Sequence, residues 1–171
     1  MSFILPVVFI LLGLLFRIIP HPANFSPIFA MALFGGTYFV DRRLALLIPI
    51  MALFISDLFI GFYSPVVMVT VYTGMLLTGL LGLWLRNHKS VLNVFGTAIA
   101  SALLFFLISN FGVWLNPVSG YSKELTGLVQ CYLMALPFLK NTLASNLVYS
   151  AILFGGYELT LLALKRRPVQ A

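Results

Sequence analysis

Of 171 residues, 61% are hydrophobic and only 8% charged, whereas a soluble domain normally carries about a quarter charged residues; too little polar surface remains to cover a water-soluble globule. The formal charge of +6 is scattered over short loops, never gathered into a basic stretch interleaved with aromatics, so no nucleic acid is expected as a partner. The single cysteine, Cys131, excludes an intrachain disulfide and any cysteine-based zinc or cluster framework.

Continuous apolar runs of roughly 17 to 25 residues are the unit of helical membrane proteins, and a β-barrel would instead alternate over segments of about 10 residues. The runs here are continuous, which predicts an all-α integral membrane protein, one transmembrane domain over 1–171. The first run, "FILPVVFILLGLLF", lacks the basic start and small-residue cleavage site of a signal peptide and reads as a first span, 2–19. Further spans are expected at 26–40, 44–63, 65–85, 91–115 and 141–164. Proline, asparagine and charge concentrate in the breaks "PHPANFSP", "DRR", "YSP", "RNHKS" and "NPVSGYSKE", as helix ends demand.

The second span is short and is expected to be covered by its neighbours. Asn24, Ser26 and Pro27 suggest its start, with a polar cap and proline just inside. The stretch "LTGLVQCYLMALPF", 125–138, is apolar, short and closed by Pro137, so it reads as a surface or re-entrant helix at the outer side.

An N-terminus in the cytoplasm puts Arg42 and Arg43, Arg86 and Lys89, and Lys165, Arg166 and Arg167 on the inside, seven of the ten basic residues. The positive-inside rule therefore predicts six transmembrane helices with both termini cytoplasmic. Asp57, fourteen positions past Arg43, then lies ~20 Å up a core of ~30 Å. Arg17 closes the first span at the same side. Asn110 and Trp114 fall near the outer end of the fifth, and Asn141, Ser145 and Asn146 near the outer start of the sixth. His21, Asn24, Tyr63, Tyr121 and Tyr132 join them from the outer loops. Polar groups thus gather at one end of the bundle.

An acid at membrane depth is a functional candidate by default. Its bland partner is Arg17, which would lock the first span to the third; a ligand can share the same pair. Glu158, seven residues before Lys165, is expected to reach toward the basic tail. Gly35–Gly36 and Gly155–Gly156 are expected at close helix contacts. Trp114, Tyr121 and Tyr132 serve either as interfacial aromatics or as rings over a planar ligand. No nucleophile elbow, HExxH, Walker loop or paired acid and base is present, so an enzyme is not expected.

The segments "RIIPHPANFSPIFAMALFGGTYF", "IPIMALFISDLFIGFY", "ISNFGVWL" and "GLVQCYLMALPFLKNTLASNLVY" resemble a family of uncharacterised bacterial membrane proteins over nearly the whole chain. The first half, through "SPIFAMALFGG" and "SDLFIG", is also similar to the substrate-binding S subunits of energy-coupling-factor vitamin transporters. That resemblance implies an S-subunit-like bundle in a bacterial inner membrane, with a pocket at the outer side capped by loops. Many S subunits dock an ATP-driven coupling module through alanines on the first span. None stands there in this chain, so a solitary carrier is the other form of the expectation. Some solitary vitamin-B12 carriers of that class ligate cobalt through a cysteine, the role the resemblance would give Cys131; no other metal or cofactor is expected.

The function expected is binding of a small vitamin-like solute at the outer side, for uptake. Arg17, Asp57, Asn110, Trp114, Asn141 and Asn146 would line the pocket. His21, Asn24, Tyr121 and Tyr132 would come from lids at 20–25 and 117–136. The alternatives are a structural or assembly subunit of a larger membrane complex and, third, a membrane enzyme acting on a lipid or quinone.

Overall fold

A computed structural model describes residues 4–166; the start of the expected first span and Arg167 of the basic tail lie outside them. Helices α1 (Ile4–Ile18), α2 (Ile28–Tyr38), α3 (Arg42–Ile60), α4 (Pro65–Leu85) and α5 (Val91–Leu115) follow one another. A single 3₁₀ turn, Pro117–Ser119, leads to α6 (Leu125–Ser150), a π-helical segment (Ala151–Gly155) and α7 (Gly156–Lys165). The described residues contain no strand.

Local chemistry sets these boundaries. Asp41 accepts hydrogen bonds from the backbone N–H groups of Arg43 (2.7 Å) and Leu44 (3.1 Å), satisfying donors that the first turn of α3 leaves open. Ser90 does the same for α5 through Asn93 N–H at 3.1 Å. Pro65 opens α4, where its missing N–H matters least. Gly61 ends α3 at φ +106°, a backbone region that suits a residue without Cβ. The expected cap on α2 is different. Pro27 itself holds the cap position without a side-chain bond, and the Ser26 hydroxyl instead accepts from Arg17 Nη1 at 3.3 Å.

Helix α2 is the axis of the bundle. Ten of its eleven residues, Ile28 through Thr37, are buried, and it packs on α1, α3, α4, α5 and α6. A helix apolar all round belongs inside a structure, so its shortness is no obstacle. A Cβ on Gly36 would lie 2.4 Å from Gly79 O and 2.7 Å from Gly82 Cα; α2 and α4 touch backbone to backbone there, as small residues permit. Gly155 differs from that expectation, because a Cβ on it would meet nothing within 4 Å. The C-terminus of α2 is held by Arg86, which donates to Gly36 O (2.8 Å), Val40 O (3.1 Å) and Phe39 O. A cation is favoured beside these carbonyls.

Outward faces are the reverse of a soluble protein's. Leu47, Met51 and Phe54 of α3, Val69 and Leu80 of α4, and Leu103 and Leu107 of α5 are all exposed. Helices Arg42–Ile60, Pro65–Leu85, Val91–Leu115 and the continuous rod Leu125–Lys165 are long and apolar enough to cross a membrane. Ile4–Ile18 and Ile28–Tyr38 are shorter apolar helices.

The rod corrects the reading of 125–138 as a separate surface or re-entrant helix. Pro137 lies inside α6 and does not close it. A proline removes one backbone donor, and membrane helices tolerate this where neighbours hold both halves. Here α5 holds them. Tyr132 OH donates to Leu107 O at 2.6 Å before the proline, and Asn146 Nδ2 donates to Ser101 Oγ at 2.9 Å after it. At 41 residues the rod is ~60 Å long, about twice the thickness of a bilayer core.

Candidate functional site: a polar-floored cleft beside the Arg17–Asp57 pair

The ends of α1 and α3 meet at one end of the bundle. Asp57, three residues before the end of α3, is 1% exposed, and its Oδ1 lies 2.8 Å from Arg17 Nη2. Its Oδ2 accepts a second hydrogen bond, from Tyr72 OH at 2.9 Å. Arg17 Nε donates to Ser56 Oγ at 2.6 Å, so with Asp57 and Ser26 the guanidinium has three partners. Burying an ion pair is tolerable only when the remaining lone pairs and protons are answered, and these groups answer them. The expected Arg17–Asp57 pair is present; Tyr72 and Ser56 had no sequence signal, because a hydroxyl in an apolar helix marks no pattern, and Ser26 was marked only as a helix cap.

In front of Arg17 opens a cleft of about 560 Å³, within the usual size of small-molecule sites. Its polar groups come from Arg17, His21, Asn24, Ser109, Asn110 and Tyr121. Asn24 stands at φ +60°, a left-handed conformation that asparagine tolerates better than most residues. His21 is braced by its own loop, with Nε2 3.1 Å from Arg17 O and Nδ1 3.1 Å from Pro22 O. Tyr63 adds a phenol from the α3–α4 connection. Burial, then the Asp57 carboxylate, pushes its pKa up to about 12.

The apolar body of the cleft was not legible in the sequence. The Phe29 and Phe105 rings pack tilted against each other with centroids 4.3 Å apart, and Met134 and Phe138 of α6 face the same space. Cys131, the residue implied as a cobalt ligand, belongs to the cleft wall; it is 2% exposed, with Sγ 3.5 Å from Asn110 O. Among the described residues no three His, Cys, Asp or Glu side chains come together.

Five of the expected pocket residues lie elsewhere. Asp57 sits behind Arg17 and does not line the cleft. Asn146 is fully buried between α5 and α6, where its amide donates to Ala98 O (3.2 Å) and Ser101 Oγ. The expected start of the last span at 141 placed it near the surface; with the helix starting at Leu125, it lies six turns in. Asn141 Nδ2 donates to Ala23 O at 2.9 Å and ties α6 to the α1–α2 loop. Trp114 Nε1 donates to Ser122 O at 2.8 Å and fixes the α5–α6 connection. Tyr132 caps Leu107 O beside the Phe106 ring. Each of the last three positions a wall of the cleft without entering it.

The described residues form an all-helical fold whose long helices, with apolar outward faces, are those of a multi-pass membrane type. The chain belongs to the family of unknown function DUF6580, whose model matches residues 1–169. No curated protein and no solved structure is detectably similar to it.

Proposed function

We propose that this protein binds a small, partly apolar solute in the cleft beside Arg17 and presents it for uptake across a bacterial inner membrane. Six spans with both termini cytoplasmic would put the cleft at the outer side. The observation that carries the reading is the division of labour around Arg17. Its charge is already balanced by Asp57, so the floor of the cleft offers hydrogen bonds without a net charge. Above it, Phe29, Phe105, Met134 and Phe138 supply an aromatic and thioether surface. A planar, uncharged or zwitterionic solute of vitamin size suits that combination.

Release to the cytoplasm would require an ATP-driven partner or a rocking of the whole bundle. Native mass spectrometry of gently extracted protein, with an absorption spectrum of the same sample, tests the binding step. A stoichiometric small-molecule adduct that disappears in Phe105→Ala is the expected result. A bare protein accompanied by a fixed second subunit would overturn it.

One observation favours a second reading. Each oxygen of Asp57 already accepts a bond from inside the chain, and the residue does not line the cleft. In an assembly subunit of a larger membrane complex, that pair would be architecture alone, and the fixed second subunit would be its signature.

A further inference from the structure

A second cleft, of about 460 Å³, opens at the opposite end of the bundle between the start of α5 and the π segment. Its mouth carries one fixed charge of each sign. Glu158 Oε1 accepts from Tyr38 OH at 2.6 Å and from Lys89 Nζ, and the ammonium sits 4.9 Å from the Tyr38 ring centroid. Both charged side chains stay about two-fifths exposed, at 41% and 42%, so each keeps open valences. The expected approach of Glu158 to the tail is thus replaced by pairing with Lys89. Below the mouth the walls are apolar, chiefly Phe95 and Phe154.

Two features of the cleft are left unexplained by folding. Ser150 lines it and is fully buried, yet its hydroxyl has no hydrogen-bond partner among the described residues. Buried hydroxyls are almost always paired, and an unpaired one calls for an explanation. It lies eight residues from Glu158 along the rod, hence ~12 Å deeper. The rod also departs from α-geometry here, over Ala151–Gly155; π segments are rare and occur disproportionately at functional sites. Gly155, beside open space, keeps the wall clear.

From this arrangement we infer that the second cleft holds one zwitterionic aminophospholipid of the phosphatidylethanolamine type. The lipid ammonium meets Glu158 and its phosphate meets Lys89. One acyl chain runs between α5 and the rod against Phe95 and Phe154, and an ester carbonyl accepts from the Ser150 hydroxyl below the headgroup. An anionic lipid would satisfy Lys89 but set its charge against Glu158, and a soluble headgroup would leave the apolar walls empty. The inference rests on the membrane character of the chain and not on a ligand in the first cleft.

The test is native mass spectrometry of delipidated protein in detergent, titrated separately with phosphatidylethanolamine, phosphatidylglycerol and glycerophosphoethanolamine. The expected result is one retained phosphatidylethanolamine, weaker phosphatidylglycerol and no adduct of the soluble headgroup. Glu158→Gln keeps an acceptor for Tyr38 and removes the charge; it should weaken phosphatidylethanolamine about tenfold, the worth of one charge-assisted hydrogen bond, and leave phosphatidylglycerol no weaker. Gly155→Leu fills open space and should abolish the adduct in protein that melts as wild type does. Equal retention of both lipids, or an adduct that persists in Gly155→Leu, would overturn the inference. An adduct of the soluble headgroup alone would do so as well.

Discussion

The hydroxyl of Tyr72 and the guanidinium of Arg17 hold the two oxygens of Asp57 separately, at 2.9 and 2.8 Å. The three side chains come from α4, α1 and α3, so one carboxylate joins three helices behind the floor of the first cleft. Arg17→Met strands a buried acid and should lower stability by about 3–5 kcal/mol. Tyr72→Phe removes one of two donors and should lower it by about 1–2 kcal/mol. Pairing Arg17→Met with Asp57→Leu should recover most of the loss, since apolar replacement of a buried pair is often neutral. Unfolding curves of the four proteins in one detergent check the order.

Asn146 and Asn110 separate packing from binding. Asn146→Ala removes the amide that bridges α5 and the rod and should lower stability by about 1–2 kcal/mol, leaving solute occupancy of the first cleft unchanged in the protein that remains folded. Asn110→Ala should do the reverse, changing occupancy with little effect on melting. Adduct fraction and melting temperature, measured on the same preparations, distinguish the two.

Arg86 is the only contact of its kind at the end of α2 among the described residues: one side chain serving three carbonyls. Burial, then the neighbouring Arg42, lowers its pKa, but a guanidinium stays charged at any working pH. Arg86→Met should lower stability by about 2–3 kcal/mol. Arg86→Lys should recover only part, because an ammonium lacks the planar fork that reaches several carbonyls at once. Denaturant titration of the three proteins measures the difference.

Tyr63 gives a pH signature. Its ordinary value of 10.0 rises to about 12 in the folded protein. Below pH 10 the proton is bound in both folded and unfolded chains. Between 10 and 12 the unfolded chain releases it first, so stability falls over that window and the contribution is gone above it. Phenolate absorbance of wild type minus Tyr63→Phe should therefore rise only near pH 12 while the fold persists; a rise centred on 10 would contradict the burial.

Much of the architecture is legible from residue order, for physical reasons. Asp41, Ser90 and Pro65 mark helix starts because their side chains satisfy or avoid backbone donors locally. Arg17 and Asp57 find one another because helix length fixes their heights. Pro137 misled because its effect is decided by what packs around it, not by its own ring. That error also displaced Asn146, whose depth depends on where the helix begins. Tyr72, Phe29 and Phe105 were invisible for another reason: in a chain this apolar, periodicity cannot say which ring faces lipid and which faces a cleft.

The unbroken rod from Leu125 to Lys165 is a common wall. Met134 and Phe138 face one cleft, and Ser150 and Phe154 face the other, on a single continuous element. A guest that tilted or turned this element at one end would reshape the other chamber too. Thermodynamic reciprocity then fixes the exchange: whatever factor the first guest imposes on the second, the second imposes on the first. With both clefts occupied as proposed, mutations in the rod would act on the two ends together, and membrane composition would enter any affinity measured for the solute.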